Sequence, residues 1–308
     1  MRIIFMGTPE FAVASLAALI EAGEEVVAVV TVADKPAGRG QKIQESAVKK
    51  FALSKGIPIL QPDKLKDSAF IDALKSYQAD LQVVVAFRML PEIVWNMPPK
   101  GTVNLHASLL PQYRGAAPIN HAIINGERET GVTTFFLQHQ IDTGNILLSE
   151  KVPIGIDDTA GDLHDKLMHV GADLLVKTVQ EIKNGNYREI PQTLIAEEQA
   201  LKHAPKIFKN DCRIEWNKDV GEVYNFIRGL SPYPTAFTTF QGKTLKIFAC
   251  RPLRGHLTKE KEPGSMVTDG KHYLWFTTVD GCIDVQELQL EGKKRMSVEE
   301  FLRGVRLE

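Results

Sequence analysis

The sequence predicts an α/β protein: a mostly parallel sheet covered on both faces, followed by a small antiparallel β-barrel. Three observations carry this. Strand and helix signals alternate through the first half, which implies βαβ units. Residues 81–87, Leu-Gln-Val-Val-Val-Ala-Phe, form an almost continuous apolar run, the mark of a strand buried on both sides. From about residue 236 short alternating strands recur at close spacing, as in a small barrel.

The elements follow in order. Arg2–Met6 and Glu25–Val32 are β-branched runs of strand length. Between them Phe11, Leu16, Leu19 and Ile20 make one helical face, which Gly23 ends. Helix signals recur near 44–55 and 67–77, with a short strand at Ile57–Leu60. Val103–His106, Gly131–Leu137 and Ile146–Val152 read as further strands. Leu163, Leu167, Val170, Leu174 and Leu175 share one face of a helix over 161–183, with Gly185 beyond its end. Residues 189–207 lose periodicity and read as a linker between domains at 1–188 and 208–308. After it come a helix at Val220–Arg228, the turn Ser231-Pro-Tyr-Pro234, five short strands between 236 and 290, and a closing helix from Ser297.

Length and composition fit this division. At 308 residues, two domains are expected, and 44% hydrophobic residues exclude global disorder. No apolar run approaches the roughly 20 residues that span a bilayer, so a cytoplasmic protein without a membrane partner is expected. The net charge of −1 hides an asymmetry: residues 1–200 carry 19 Lys+Arg against 24 Asp+Glu, and residues 201–308 carry 18 against 14. A basic back half suits an anionic partner, although a basic surface is often merely solvated. Cys212, Cys250 and Cys282 are too few and too widely spaced for a disulfide framework or a zinc site, and the eight His include no H-x-x-x-H pair, so no metal is expected. Gly7-Thr-Pro-Glu-Phe11 follows a strand and opens a helix, but Pro9 and Phe11 break the dinucleotide pattern.

The chemistry gathers in Gly101-Thr-Val-Asn-Leu-His-Ala-Ser-Leu-Leu-Pro111. Two apart on a strand, Asn104 and His106 point to one face. They stand where an open α/β sheet places its ligands, at the C-terminal strand ends. A titratable imidazole beside a neutral donor suits a reaction with a proton to move and an oxyanion to stabilise. Asp142 falls in the turn Ile141-Asp-Thr-Gly144, 36 residues after the histidine. A carboxylate brought beside His106 would stabilise an imidazolium. Each residue also has a plain structural reading, as a strand end, a core histidine and a turn aspartate.

N-L-H-A-S-L-L-P, then R-G-A-A-P-I, then the I-D-T-G turn resembles the folate-dependent formyltransferase family across residues 1–185. The loop Asp34-Lys-Pro-Ala-Gly-Arg-Gly-Gln41, the opening F-M-G-T-P-E-F-A and a back domain containing Cys212-Arg-Ile-Glu-Trp216 look like the branch that acts on tRNA. The resemblance implies a Rossmann-like formyltransferase domain, an OB-like barrel and a catalytic set of Asn104, His106 and Asp142. It implies 10-formyltetrahydrofolate as donor and the α-amino group of methionine on initiator tRNA as acceptor. Asn104 and protonated His106 would hold the oxyanion, and Asp142 would keep His106 charged and oriented. Proton transfer through His106 or through a water held by Asp142 both remain open. Ser108, Leu109, Leu110 and Pro111 match the family's folate-contacting stretch. The loop after the 81–87 strand departs from the family's A-Y-G-x-I-L-P: it reads Ala86-Phe-Arg-Met-Leu-Pro91, one residue shorter, with Arg88 near the glycine position.

Lys35 to Lys42 is basic, glycine-rich and poor in apolar residues, so it is expected to be an exposed loop without a packed element. Given the resemblance, Lys35, Arg39 and Lys42 are expected to meet the tRNA acceptor stem. The basic residues of the barrel, Lys206 to Arg295, are expected to follow its backbone. A monomer is expected. Two other functions fit parts of the pattern. A formyltransferase with a small amine acceptor, such as glycinamide ribonucleotide or an amino sugar nucleotide, would share the trio, and the glycinamide ribonucleotide type would lack the back domain; an RNA-binding protein without catalysis would not need the trio.

Overall fold

The computed structural model describes residues 1–37, 42–195, 201–255 and 261–305. The chain divides into two compact units. The first comprises Met1–Arg114, Thr130–Val152 and His164–Lys202; the second comprises Gly115–Glu129, Pro153–Leu163 and His203–Glu308.

Among the described residues, seven strands build the sheet of the first unit. They are β1 (Arg2–Gly7), β2 (Glu25–Val30), β3 (Ile59–Leu60), β4 (Leu81–Val85), β5 (Thr102–His106), β6 (Glu129–Phe136) and β7 (Ile146–Pro153), in the order β7-β6-β5-β4-β1-β2-β3. The pairs β1–β2, β1–β4, β2–β3 and β4–β5 are parallel, and β5–β6 is antiparallel. The order reverses at β1, from which the chain builds outward first to β2 and later to β4. That is the switch point at which such sheets open a crevice. All five residues of β4 are buried, as its apolar run requires.

On one face Ile4, Met6, Val30 and Val84 pack with Phe70, Ile71 and Leu74 of the helix Ser68–Ser76. The helix Ala160–Asn184 approaches β5 and β6 closely at Gly171, where a Cβ would stand 2.9 Å from Leu105. Thr178 of that helix hydrogen-bonds Thr134 of β6 at 2.8 Å. Gly7 ends β1 with the same economy: a Cβ there would meet Ala12 at 2.6 Å and the Val85 carbonyl at 2.9 Å, so this turn is built for packing.

In the second unit β8 (Ala236–Phe240), β9 (Lys243–Arg254), β10 (Met266–Thr268), β11 (Leu274–Thr277) and β12 (Gly281–Leu290) form an antiparallel sheet in the order β8-β9-β12-β11-β10, with β13 (Met296–Ser297) also on β12. This is a half-barrel. Register shifts after Ile247 and Ala249 bend the long β9–β12 ribbon. The helix Val220–Gly229 supplies Val220, Val223 and Ile227 to its core, beside Leu245, Ile247, Ile283 and Val285. The helix Pro118–Ile124 belongs to this unit too: Asn120 donates to the Gly229 carbonyl at 2.7 Å.

Candidate active site

β5 delivers Asn104 and His106. Asn104 sits opposite Val84 and Phe135, and His106 opposite Thr133. Asn104 is half-buried, and His106 is only 7% exposed. The chain then folds back in a stitched turn. The Thr133 hydroxyl donates to the Ser108 carbonyl at 2.7 Å and accepts from the Leu110 N–H at 3.2 Å. Ser108 is fully buried, and its hydroxyl donates to the Gln112 carbonyl at 2.7 Å. Leu110 and Pro111 are buried as well, so what Ser108–Pro111 offers a ligand is backbone and the half-buried Leu109.

The turn brings the Tyr113 carbonyl to 2.9 Å from His106 Nε2. A carbonyl only accepts, so Nε2 carries the proton and a neutral His106 presents its lone pair at Nδ1. Asp142 approaches that nitrogen, with Oδ2 at 3.9 Å. This is longer than a hydrogen bond but within ion-pair reach once the imidazole is charged.

Both partners of His106 are held in uncommon backbone conformations. Tyr113 has φ 59° and Asp142 has φ 53°, the left-handed region that side chains with a Cβ seldom occupy. The Tyr113 N–H donates to the Lys202 carbonyl at 2.6 Å. Two residues after Asp142, a Cβ on Gly144 would fall 1.6 Å from the Phe136 carbonyl, so only glycine closes this turn.

Sequence reasoning brought Asn104, His106 and Asp142 forward and missed their supports. Gln192, only 3% exposed, donates through Nε2 to the carbonyls of Asp142 and Gly144, both at 2.8 Å. Its Oε1 accepts from Arg114 Nε at 2.9 Å and from the same guanidinium's second nitrogen. Burial pulls the Arg114 guanidinium below its ordinary pKa, and the Asp142 carboxylate opposes that. Arg114 was visible in the R-G-A-A-P-I motif, but Gln192 stood in the polar 189–207 stretch with no periodic or motif signal.

Arg88 lines the cavity beside the loop after β4 while its guanidinium braces the loop's base. Its two terminal nitrogens donate to the carbonyls of Asp63 and Pro62, anchoring the loop after β4. Ala86, at φ 47°, turns the chain out of β4. That loop lines a cavity of about 670 Å³ with Leu65, Lys66, Met89, Leu90 and Ile93. Met89 and Ile93 are 76% and 55% exposed, and none of the trio lines the cavity.

The basic loop differs from expectation at its flanks. Lys35–Ala37 and Lys42–Gln44 pair antiparallel as a short hairpin, so backbone pairing forms an element that the apolar count did not foretell. At its base Asp34 holds Lys49 and accepts from Gln61 at 2.8 Å. Lys35 is exposed and Lys42 lies in the second strand, whereas Arg39 lies outside the described residues.

The family model described as formyl transferase matches residues 1–179, more than half of the chain, and the model of that family's C-terminal domain matches residues 206–306. The chain belongs to the formyl transferase family. It is 55% identical to a methionyl-tRNA formyltransferase of Bacteroides fragilis, across 100% of this chain and 96% of that one. Against a methionyl-tRNA formyltransferase of Porphyromonas gingivalis the identity is 50%, with the same coverage. Among solved structures the chain is similar to HypX from Aquifex aeolicus in complex with tetrahydrofolic acid, with TM-score 0.67 and 19% identity over 100% of this chain and 48% of HypX. It is also similar to WlaRD, a sugar 3N-formyl transferase, with TM-score 0.66 and 22% identity over 96% of this chain and 99% of that one. At such identities these two likenesses speak for the shared fold. Family membership accounts for the sheet, for the back domain and for the order of the motifs.

Proposed function

We infer that the protein transfers the formyl group of 10-formyltetrahydrofolate to the α-amino group of methionyl initiator tRNA, giving N-formylmethionyl-tRNA for translation initiation. The observation that carries this is identity of 50–56% over essentially the full length to methionyl-tRNA formyltransferases, back domain included. The back domain alone does not exclude a small acceptor, since a sugar 3N-formyl transferase is similar over 96% of this chain, so the weight rests on the identity.

The roles we assign follow from geometry. In place of the protonated oxyanion donor that the resemblance implies, we assign His106 the role of base: the Tyr113 carbonyl holds its Nε2–H, so Nδ1 takes the proton from the attacking amine. The imidazolium that results faces Asp142 at 3.9 Å, which holds the new charge and the ring's orientation until the ring returns the proton to the folate N10 as the bond between N10 and the formyl carbon breaks. The Asn104 amide, on the same strand face, donates to the formyl oxygen as negative charge develops there. No covalent enzyme intermediate is needed, because the amine is itself the nucleophile. The loop after β4 suits a folate: Met89 and Ile93 offer apolar surface to a flat ring, and Lys66 and Arg88 lie beside them for a carboxylate. We assign tRNA contacts to Lys35, Arg39 and Lys42, and backbone grip to the basic 208–308 domain. The reading makes the enzyme a cytoplasmic monomer, each chain holding its own trio.

The test is transfer of labelled formyl from 10-formyltetrahydrofolate onto methionyl initiator tRNA, with elongator methionyl-tRNA as control. Label on the initiator and little on the elongator is expected. Label on a small amine with none on either tRNA would overturn the reading.

A further inference from the structure

Gln192 lies outside both matched stretches, 1–179 and 206–306, in a polar segment with no assigned role. It is nevertheless buried and bonded at both ends of its side-chain amide. One amide nitrogen donates to two carbonyls of the Asp142 turn, and one amide oxygen accepts twice from Arg114. Arg114 directly follows Tyr113, whose carbonyl fixes His106 Nε2. The two sides of the imidazole are thus held by two backbone segments, 113–114 and 142–144, and Gln192 ties one to the other.

This tie matters because the turn is not held by local propensity. Asp142 stands at a left-handed φ, and residue 144 must be glycine to clear Phe136. A conformation of this kind persists only where its surroundings over-determine it. An amide suits this position because it donates to the turn and accepts from a cation at once, without adding a charge beside Asp142. A glutamate would keep the acceptor for Arg114 but face the two carbonyls with a carboxylate. It would also put a second negative charge near Asp142.

We propose that Gln192, oriented by Arg114, is the positioning residue that sets Asp142 against His106 Nδ1. The proposal rests on the catalytic trio assigned above. The same tie makes the segment joining the two matched stretches part of the catalytic apparatus.

The test uses the full-length enzyme and two variants, Gln192→Glu and Gln192→Met, each in the wild-type and the Asp142→Asn background. Displacing a catalytic group by about 1 Å costs up to about 100-fold in rate. A kcat lowered about 10–100-fold, with KM for the formyl donor within about threefold of wild type, is therefore expected in the wild-type background. In the Asp142→Asn background the further loss should shrink below about threefold, because the carboxylate being positioned is gone. Wild-type kcat in both variants would overturn the proposal, as would a full, additive loss on top of Asp142→Asn. Failure of both variants to fold would assign Gln192 to stability and overturn it as well. A wild-type kcat in Asp142→Asn alone would instead remove Asp142 from the trio, a result read without touching Gln192.

Discussion

Asn104 and His106 differ in how completely the protein commits them. His106 is buried and tied at Nε2 to the Tyr113 carbonyl, so one tautomer is selected before any substrate arrives. Asn104 is half-buried on the same strand face, and the role proposed for it is to meet a charge that exists only during the reaction. Replacing Asn104 with alanine should therefore spare donor binding and lower kcat by about 10²–10³, the usual effect of losing one oxyanion donor. Steady-state kinetics with both substrates varied checks this, and a kcat within threefold of wild type would remove Asn104 from that role. Asn104, His106 and Asp142 were legible in the sequence as candidates, because strand alternation and a fixed order of motifs bring them forward. Tyr113 and Gln192 were not, because one acts through a carbonyl and the other lies 50 positions from Asp142, and Arg114 was visible in its motif while its bond to Gln192 was not. No local pattern encodes a backbone acceptor or a contact at that range.

Among elements, the sheet was the most legible part. The alternating and continuous apolar runs place β1, β2, β4, β5, β6 and β7 to within a few residues, because burial on one or two faces dictates composition directly. The short hairpin at Lys35–Ala37 and Lys42–Gln44 was not legible, since pairing of so few residues leaves no burial signature. Its base is held by charge. Hydrogen bonds from Lys49 and Gln61 hold the Asp34 carboxyl below its ordinary value of 3.8. For a carboxylate lowered in the folded state, the stabilisation is present above the unfolded value and fades as pH falls through the lowered folded one. Thermal unfolding of the wild type and Asp34→Asn should thus differ at neutral pH, with the gap closing below about pH 3.8. A gap that persists unchanged in acid would show that the ionised carboxylate is not the anchor.

At the scale of the whole molecule, the charge asymmetry read from the sequence separates into two populations in the back domain. Some of the cations serve the fold. Arg228 donates to the Asp158 carbonyl at 2.6 Å and to Asn225 at 2.9 Å, and burial lowers its pKa. Arg295 pairs with Glu287 and lies 4.5 Å over the Phe248 ring. Lys206, Lys209, Lys293 and Lys294 are exposed and belong to the other population. Alanine at Lys293 and Lys294 together should weaken tRNA binding at low salt. It should also reduce the salt slope by about 0.7–0.9 for each phosphate no longer neutralised. Arg295→Ala should act mainly on the stability of the back domain, because it removes the packing on the ring and the pairing with the carboxylate. Titrations of tRNA affinity against salt separate the two. An unchanged slope in the double lysine variant would place the grip elsewhere.

Formyl transfer through a neutral His106 acting at Nδ1 is the claim on which the rest depends. Its most direct test is the single-turnover rate of formyl transfer by His106→Ala, with enzyme in excess over methionyl initiator tRNA and saturating 10-formyltetrahydrofolate, set beside the variant's tRNA affinity. The account predicts a rate lowered by about 10²–10⁴, the range for a general base, with tRNA affinity within about threefold of wild type. A single-turnover rate within threefold of wild type would contradict it.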